Sequence, residues 1–338
     1  MKLFVTGTAG QLGYDVVKEA TKRGHIVIPS DVQIGKLSEF STHAPAFHQL
    51  DITKRDDVMK TMEAFKPYAI IHCAAWTNVD GAEDPANQEL VHKINADGTR
   101  NIAEAAKAVD AKMIYISTDY VFDGQGTDPW TPDCKDFAPL NVYGASKLAG
   151  EKAVSETLDR FFIVRIAWVF GLNGKNFIKT MINVGKTHDQ VRVVDDQIGT
   201  PTYTKDLAKL LVDMVETDRF GNYHATNSEG GQYISWADLA EEAYRCAGMS
   251  VTVNRVTTAE YGASIAARPF NSRLDKSKLI TSGFKPLPHW KDAVRRYIKE
   301  AGLVQATPTD NRLRSLLTNL DDPISRQSAE QLLRDRKD

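Results

Sequence analysis

Five short apolar runs recur through the first half of the chain: KLFVTG, HIVIPSD, YAIIHCAA, KMIYIST and RFFIVRIAWVFG. Amphipathic stretches such as LGYDVVKEATKRG, RDDVMKTMEAFKP and NADGTRNIAEAAKAVD lie between them. Each run is short, continuous and apolar, as expected of a strand buried on both faces. Strands alternating with helices predict an α/β fold, a doubly wound parallel sheet with right-handed crossovers. Ligands of such sheets bind beyond the carboxyl ends of the strands, near the switch in strand order. Candidate functional residues are therefore sought at those ends.

The rhythm loosens after Gly171, where helical segments (NFIKTMINVGK, TKDLAKLLVDMVE, SWADLAEEAYRCAG) mix with short strands (QVRVVDD, GNYHATN, VTVNRVT). Residues 1–170 read as the nucleotide-binding domain. Residues 171–304 read as a smaller C-terminal α/β substrate lobe, some segments of which return to the main sheet. Residues 305–338 read as a polar tail with a short helix, Asp322 as its N-cap and Pro323 at its first position.

Basic and acidic residues nearly balance, 42 against 44, and there is no basic run, which argues against a nucleic-acid partner. Cys73, Cys134 and Cys246 are too scattered for a zinc site or a redox dithiol and fit a reducing compartment. No apolar stretch approaches the ~18 residues of a membrane span. The apolar start MKLFVTGTAG is broken at once by glycines, unlike a secretory signal. The expectation is a soluble cytoplasmic protein without membrane contact.

VTGTAGQLG sets Gly7, Gly10 and Gly13 three residues apart between the first strand and the first helix. Glycines there permit a tight turn, close approach to a pyrophosphate, and helix–strand packing. Gln11, Leu12 and Gly13 open the helix, whose free N–H groups and positive end suit phosphate. This is the Rossmann-like arrangement, with G-x-x-G-x-x-G in place of the commoner G-x-G-x-x-G. Asp31 ends the second strand near the offset at which a carboxylate grips an adenosine ribose, favouring NADH over NADPH. Lys36 lies nearby and softens that preference. Asp51 and Ile52 end the next strand, where they either hold adenine or form a helix cap. Ala74 and Ala75 are small residues at a strand end, as a passing cofactor requires.

Tyr143 and Lys147 sit one helical turn apart in NVYGASKLAGE. A neighbouring ammonium favours a phenolate, so Lys147 is expected to lower the Tyr143 pKa and permit proton transfer near neutrality. The same lysine can hold a cofactor ribose. Thr118, at the end of KMIYIST, supplies a hydroxyl for the same substrate oxygen, and Asp119 follows it. Tyr14 and Lys18 share the Tyr–Lys spacing but belong to the first helix, where packing explains them.

Together TGTAGQLG, CAAWTNVD, INADGT, ISTDYVFDG and YGASKLAGE resemble the extended short-chain dehydrogenase/reductase superfamily over residues 1–302. The resemblance implies a Ser/Thr–Tyr–Lys triad at Thr118, Tyr143 and Lys147, with NADPH or NADH as cofactor. Tyr120 stands where the similar 4,6-dehydratases carry a glutamate, which removes their second proton handler. RIAWVFG, GKNF, VVDDQIGTPT and RPFNSRLDKSKL are similar to the dTDP-4-dehydrorhamnose reductase family. This implies hydride delivery to the C4 ketone of dTDP-4-dehydro-6-deoxy-L-mannose. Tyr143 would then protonate the oxyanion, Lys147 would tune Tyr143 and hold the ribose, Thr118 would orient the carbonyl, and Asp119 would bond a sugar hydroxyl.

Trp168 is expected as a flat wall for the sugar, with Arg268 and Asn176 as diphosphate partners. Gln197 and Thr202 are expected to shape the pocket without a chemical step. Some members of the family dimerise through Mg²⁺ held by acidic residues. No acidic cluster for Mg²⁺ is legible here, and Asp15 reads as an exposed helix carboxylate. Monomer and homodimer both remain open. So do another sugar-nucleotide ketoreductase or epimerase, and a non-catalytic relative like the regulatory subunit of methionine adenosyltransferase.

Overall fold

The computed structural model describes residues 1–33, 47–262 and 264–304. Lys36 and the tail from Gln305, with Asp322 and Pro323, lie outside the described residues.

Six strands follow the chain: β1 (Lys2–Thr6), β2 (Ile26–Asp31), β3 (His48–Gln49), β4 (Ala69–His72), β5 (Lys112–Thr118) and β6 (Phe161–Ile166). A seventh, Gly221–His224, comes from the later part of the chain and pairs with β6. Across the sheet the order is Gly221–His224, β6, β5, β4, β1, β2, β3. Every pairing is parallel. The order reverses at β1, which has β2 on one side and β4 on the other, so a crevice opens beyond the ends of β1 and β4.

Alternate strand residues enter two cores. Leu3 and Val5 pack with helix α1 (Gln11–Lys22) and helix Thr204–Val215, whereas Phe4 faces helix α2 (Arg55–Phe65) and helix Thr99–Ala108. All seven residues of β5 are buried, which accounts for its uninterrupted apolar reading. Each such side chain contributes roughly 1.5–3 kcal/mol on burial. A third core joins helices Phe177–Gly185, Trp236–Ala247 and Trp290–Glu300 beside the sheet's ligand edge.

Tyr14 and Lys18 are a packing pair, the Lys18 ammonium 5.5 Å from the Tyr14 ring centre. Asp15 corrects the expectation of an exposed carboxylate. It is buried, accepts the Thr204 hydroxyl between α1 and helix Thr204–Val215, and its pKa is raised by that burial. Nearby Glu300 is matched by Lys205 at 2.6 Å and the Tyr203 hydroxyl at 2.8 Å, and Asp206 by a two-pronged Arg296. Among the described residues no three His, Cys, Asp or Glu side chains are grouped to hold a metal. Each of these acids is already paired with an internal donor.

Gly7 is required by its surroundings. Its φ is +70°, and a Cβ there would stand 2.5 Å from the Ala74 backbone nitrogen. Gly7→Ala is expected to cost on the order of 2–4 kcal/mol, from left-handed strain plus overpacking. Urea unfolding tests this, and an unchanged midpoint would count against the close crossing of these two chain segments.

Candidate active site

The site is built where β5 ends and helix Val142–Thr157 begins. Asn141 caps that helix, its Oδ1 accepting the Gly144 N–H at 2.7 Å, and its amide group donates to Ala267 O at 2.9 Å. Gly144 lets the first turn abut the strand end, since a Cβ would stand 2.3 Å from the Tyr120 carbonyl oxygen. One turn on, Lys147 is buried. Its ammonium donates to the Ile116 carbonyl at 2.7 Å and lies 4.1 Å from the Tyr115 ring centre.

The Thr118 hydroxyl donates to Asp119 Oδ1 at 3.1 Å and accepts the Tyr120 N–H at 3.3 Å. Tyr143 packs edge-on against Tyr120, ring centres 5.6 Å apart. Thr118, Asp119, Tyr143 and Lys147 share a wall of one cavity of about 590 Å³.

Burial sets the electrostatics. It pushes the Tyr143 phenol above its ordinary range, with Thr118 opposing and Asp119 adding to the rise. It lowers Lys147 to about 7, with Glu151 and Cys73 opposing. It raises Asp119 to about 6, a hydrogen bond from Thr118 being among the opposing contributions. The expectation that Lys147 brings Tyr143 down is therefore corrected. The ammonium faces a backbone carbonyl, and desolvation of the phenol dominates. A phenol kept protonated suits donation to an alkoxide, which the reductive direction demands.

The same cavity is lined by the glycine loop. Gly7, Gly10, Gln11, Leu12 and Gly13 line it, and no side chain caps the N-terminus of α1. Helices Phe177–Gly185 and Trp236–Ala247 are both capped by side chains. A Cβ at Gly13 would stand 2.2 Å from the Gly7 carbonyl oxygen. This bare, glycine-lined helix end fits a dinucleotide pyrophosphate. Asp31 ends β2 on the same cavity, Oδ2 accepting the Ala9 N–H at 3.0 Å and Oδ1 the Gln33 N–H at 3.3 Å. Asp51 and Ile52 line the cavity too, Asp51 accepting both the N–H and the hydroxyl of Thr53. Ala74 and Ala75 complete that side.

Two expected substrate contacts are not brought to the cavity. Asn176 caps helix Phe177–Gly185 through Lys179 N, and its amide donates to Gln11 Oε1, Gly171 O and the Tyr297 hydroxyl. Arg268 pairs with Asp80 at 2.7 Å. Asp80 also accepts the Ala266 N–H and the Ser264 hydroxyl. Gln197 and Thr202 do not line the cavity either. Gln197 donates to the Thr258 hydroxyl and Thr202 to Ala167 O.

Trp168 does line it, in a left-handed conformation (φ +50°), with one face stacked on Trp236 at 4.0 Å. Trp236 and Lys175 are lining residues that motif reading missed. Lys175 stands inside the GKNF stretch. Trp236 gave no local signal, being the first residue of a capped helix 68 positions after Trp168.

A glycine loop at the switch point, facing threonine, tyrosine and lysine across one cavity, defines the class as an extended short-chain dehydrogenase/reductase. A family model described as the RmlD substrate binding domain matches residues 1–303. A dTDP-4-dehydrorhamnose reductase of Streptomyces griseus is 39% identical over 297 residues, 86% of this chain and 90% of the relative. The crystal structure of a Clostridium acetobutylicum dTDP-4-dehydrorhamnose reductase superposes with a TM-score of 0.80 at 39% identity, covering 89% of this chain and all of that one. A Bacillus anthracis dTDP-4-dehydrorhamnose reductase in complex with NADP follows at 0.79 and 38%, over 88% of this chain and 99% of the other. The chain belongs to the RmlD family, whose matched members include several dTDP-4-dehydrorhamnose reductases.

Raised from its unfolded value near ~3.9 to about 6, Asp119 binds a proton more readily in the folded state. Its contribution to stability is present below pH ~4 and is lost as pH rises through about 6. Asp119→Asn is expected to gain on the order of 2–3 kcal/mol relative to wild type between pH 4 and 7.5. Thermal melts at both pH values measure this; parallel curves would show that the carboxyl is not desolvated.

Proposed function

We propose that this chain reduces the C4 ketone of dTDP-4-dehydro-6-deoxy-L-mannose to dTDP-L-rhamnose, the last step of dTDP-L-rhamnose synthesis, in the cytoplasm. The observation that carries the reading is the convergence of Thr118, Asp119, Tyr143 and Lys147 with the bare α1 N-terminus on one cavity. The nicotinamide cofactor, when bound, supplies the hydride. Gly10–Gly13 would hold its pyrophosphate, Asp31 its adenosine ribose, and Asp51 and Ile52 its adenine.

The Thr118 hydroxyl orients the C4 carbonyl, and Tyr143 gives its proton to the oxygen as the carbonyl becomes an alcohol. Lys147 holds the nicotinamide ribose beside that oxygen. Asp119 accepts a hydrogen bond from a neighbouring sugar hydroxyl, and the exposed part of Trp168 borders the deoxysugar. Asn176 takes no part in this reading, since the helix cap already occupies it, whereas Arg268 spends Nη2 on Asp80 and keeps a buried, unpartnered Nη1 that would serve the diphosphate. Tyr120, on the cavity wall in the place of a dehydratase glutamate, offers no carboxylate for loss of water.

The Asp31 carboxylate would oppose a 2′-phosphate, so NADH is the better donor. Turnover of the ketosugar, followed separately with NADH and NADPH, is expected to yield dTDP-L-rhamnose with a higher kcat/KM for NADH. Tyr143→Phe is expected to lower kcat by roughly 10²–10⁴-fold with little change in cofactor binding. No turnover in protein that binds either nucleotide would overturn the reductase reading. A preference for NADPH retained in Asp31→Ala would remove the role given to Asp31.

A further inference from the structure

The loop after the short strand Val169–Phe170 runs back over the glycine loop. Asn173 donates to Ala9 O at 2.8 Å and Gly10 O at 3.3 Å. Asn176 donates to Gln11 Oε1 at 3.2 Å, and a Cβ on Gly174 would stand 3.2 Å from Gln11 Cγ. Lys175 is held between these anchors, on the cavity wall beside the bare N-terminus of α1.

Charge on that wall is unevenly available. Among the described residues, the cations lining the cavity are Lys147 and Lys175. Lys147 is buried, depressed towards neutrality by that burial, and committed to the Ile116 carbonyl. Arg268, the guanidinium expected to meet phosphate, is not among the lining residues and pairs through Nη2 with Asp80. Lys175 is exposed and forms no hydrogen bond or ion pair with any described residue. The acids on the wall, Asp31, Asp51 and Asp119, are all unsuited to a phosphate. A helix end offers the equivalent of roughly half a positive charge. A dinucleotide and a sugar nucleotide together bring two diphosphates, far more negative charge than that helix end offsets.

Deepening the reading of the cavity as a dinucleotide and sugar-nucleotide site, on which it rests, we propose that Lys175 is a diphosphate-binding residue. The fixed loop delivers its ammonium to the cavity, and the lack of an internal partner leaves that charge for the ligand. The chemistry is shared by the cofactor pyrophosphate and the sugar-nucleotide diphosphate, and separate binding measurements tell the two apart.

The dissociation constants of NADH and of dTDP are measured separately by calorimetry at several salt concentrations, in wild type, Lys175→Met and Lys175→Arg. Lys175→Met is expected to weaken at least one ligand about tenfold and to flatten its salt dependence, with Lys175→Arg restoring most of both. Weakening of NADH alone assigns the cofactor pyrophosphate, of dTDP alone the sugar-nucleotide diphosphate, and of both a cation shared between them. Constants within twofold of wild type for both ligands, with unchanged salt slopes, would overturn the proposal. Because the readout is binding, a chain that binds both nucleotides but does not turn over the ketosugar sinks the reductase reading and leaves this one standing.

Discussion

The buried ion pair between Glu151 and Arg165 is the contact on which the site's geometry depends. Arg165 Nε donates to Glu151 Oε1 at 2.8 Å and Nη2 to Oε2 at 2.7 Å, with both side chains almost wholly removed from water. Two desolvated charges are costly apart, and breaking such a pair from one side destabilises by roughly 3–5 kcal/mol. The pair joins the helix bearing Tyr143 and Lys147 to β6, the neighbour of β5. It thereby sets the helix against the strand that ends in Thr118. Gly150 allows the close seating, since a Cβ there would meet the Tyr115 hydroxyl at 2.2 Å. Glu151 also lies one turn beyond Lys147, where its charge offsets part of the desolvation that lowers the lysine. One carboxylate thus fixes the helix and keeps the lysine ionisable near neutral pH.

Features carried by local sequence were legible. Strands buried on both faces must be continuous apolar runs, so β1, β2, β4, β5 and β6 declared themselves. The glycine loop did so because Gly7 and Gly13 stand where no Cβ fits. Thr118 and Tyr143 were readable because each stands at the end of an element, and in a parallel sheet those ends converge. The Tyr14–Lys18 pair shows that spacing alone would have misled; position on the first helix separated packing from chemistry.

What stayed hidden depends on partners distant in sequence. Asn176 and Arg268 carry donors suited to phosphate, yet a helix cap engages Asn176, and Asp80, 188 positions from Arg268, takes its Nη2. Asp15 lies on the first helix, but Thr204 arrives from 189 positions away to bury it. The Tyr143 pKa followed the same pattern. Adjacent residues suggested an ammonium–phenol pair, whereas the folded environment removes water from the phenol and aims the ammonium at Ile116 O. Whether a polar side chain is available to a ligand is a property of the tertiary structure, because most buried donors find an acceptor within the fold.

That rule also separates the two ends of the cavity. At the proton-transfer end Thr118, Asp119 and Lys147 are nearly inaccessible and already hydrogen-bonded, so their positions are set before a substrate arrives. Preorganisation of this kind avoids reorientation during the reaction. At the phosphate end the helix has no side-chain cap and Lys175 has no partner among the described residues. Here the ligand completes the hydrogen bonding and the charge balance. The loop bearing Lys175 is pinned to the glycine loop through Asn173, which follows β6 in sequence and contacts the turn after β1. The sheet therefore determines how far the diphosphate end lies from Thr118 and Tyr143. A nucleotide bound at one end is held in fixed register with the proton donor at the other.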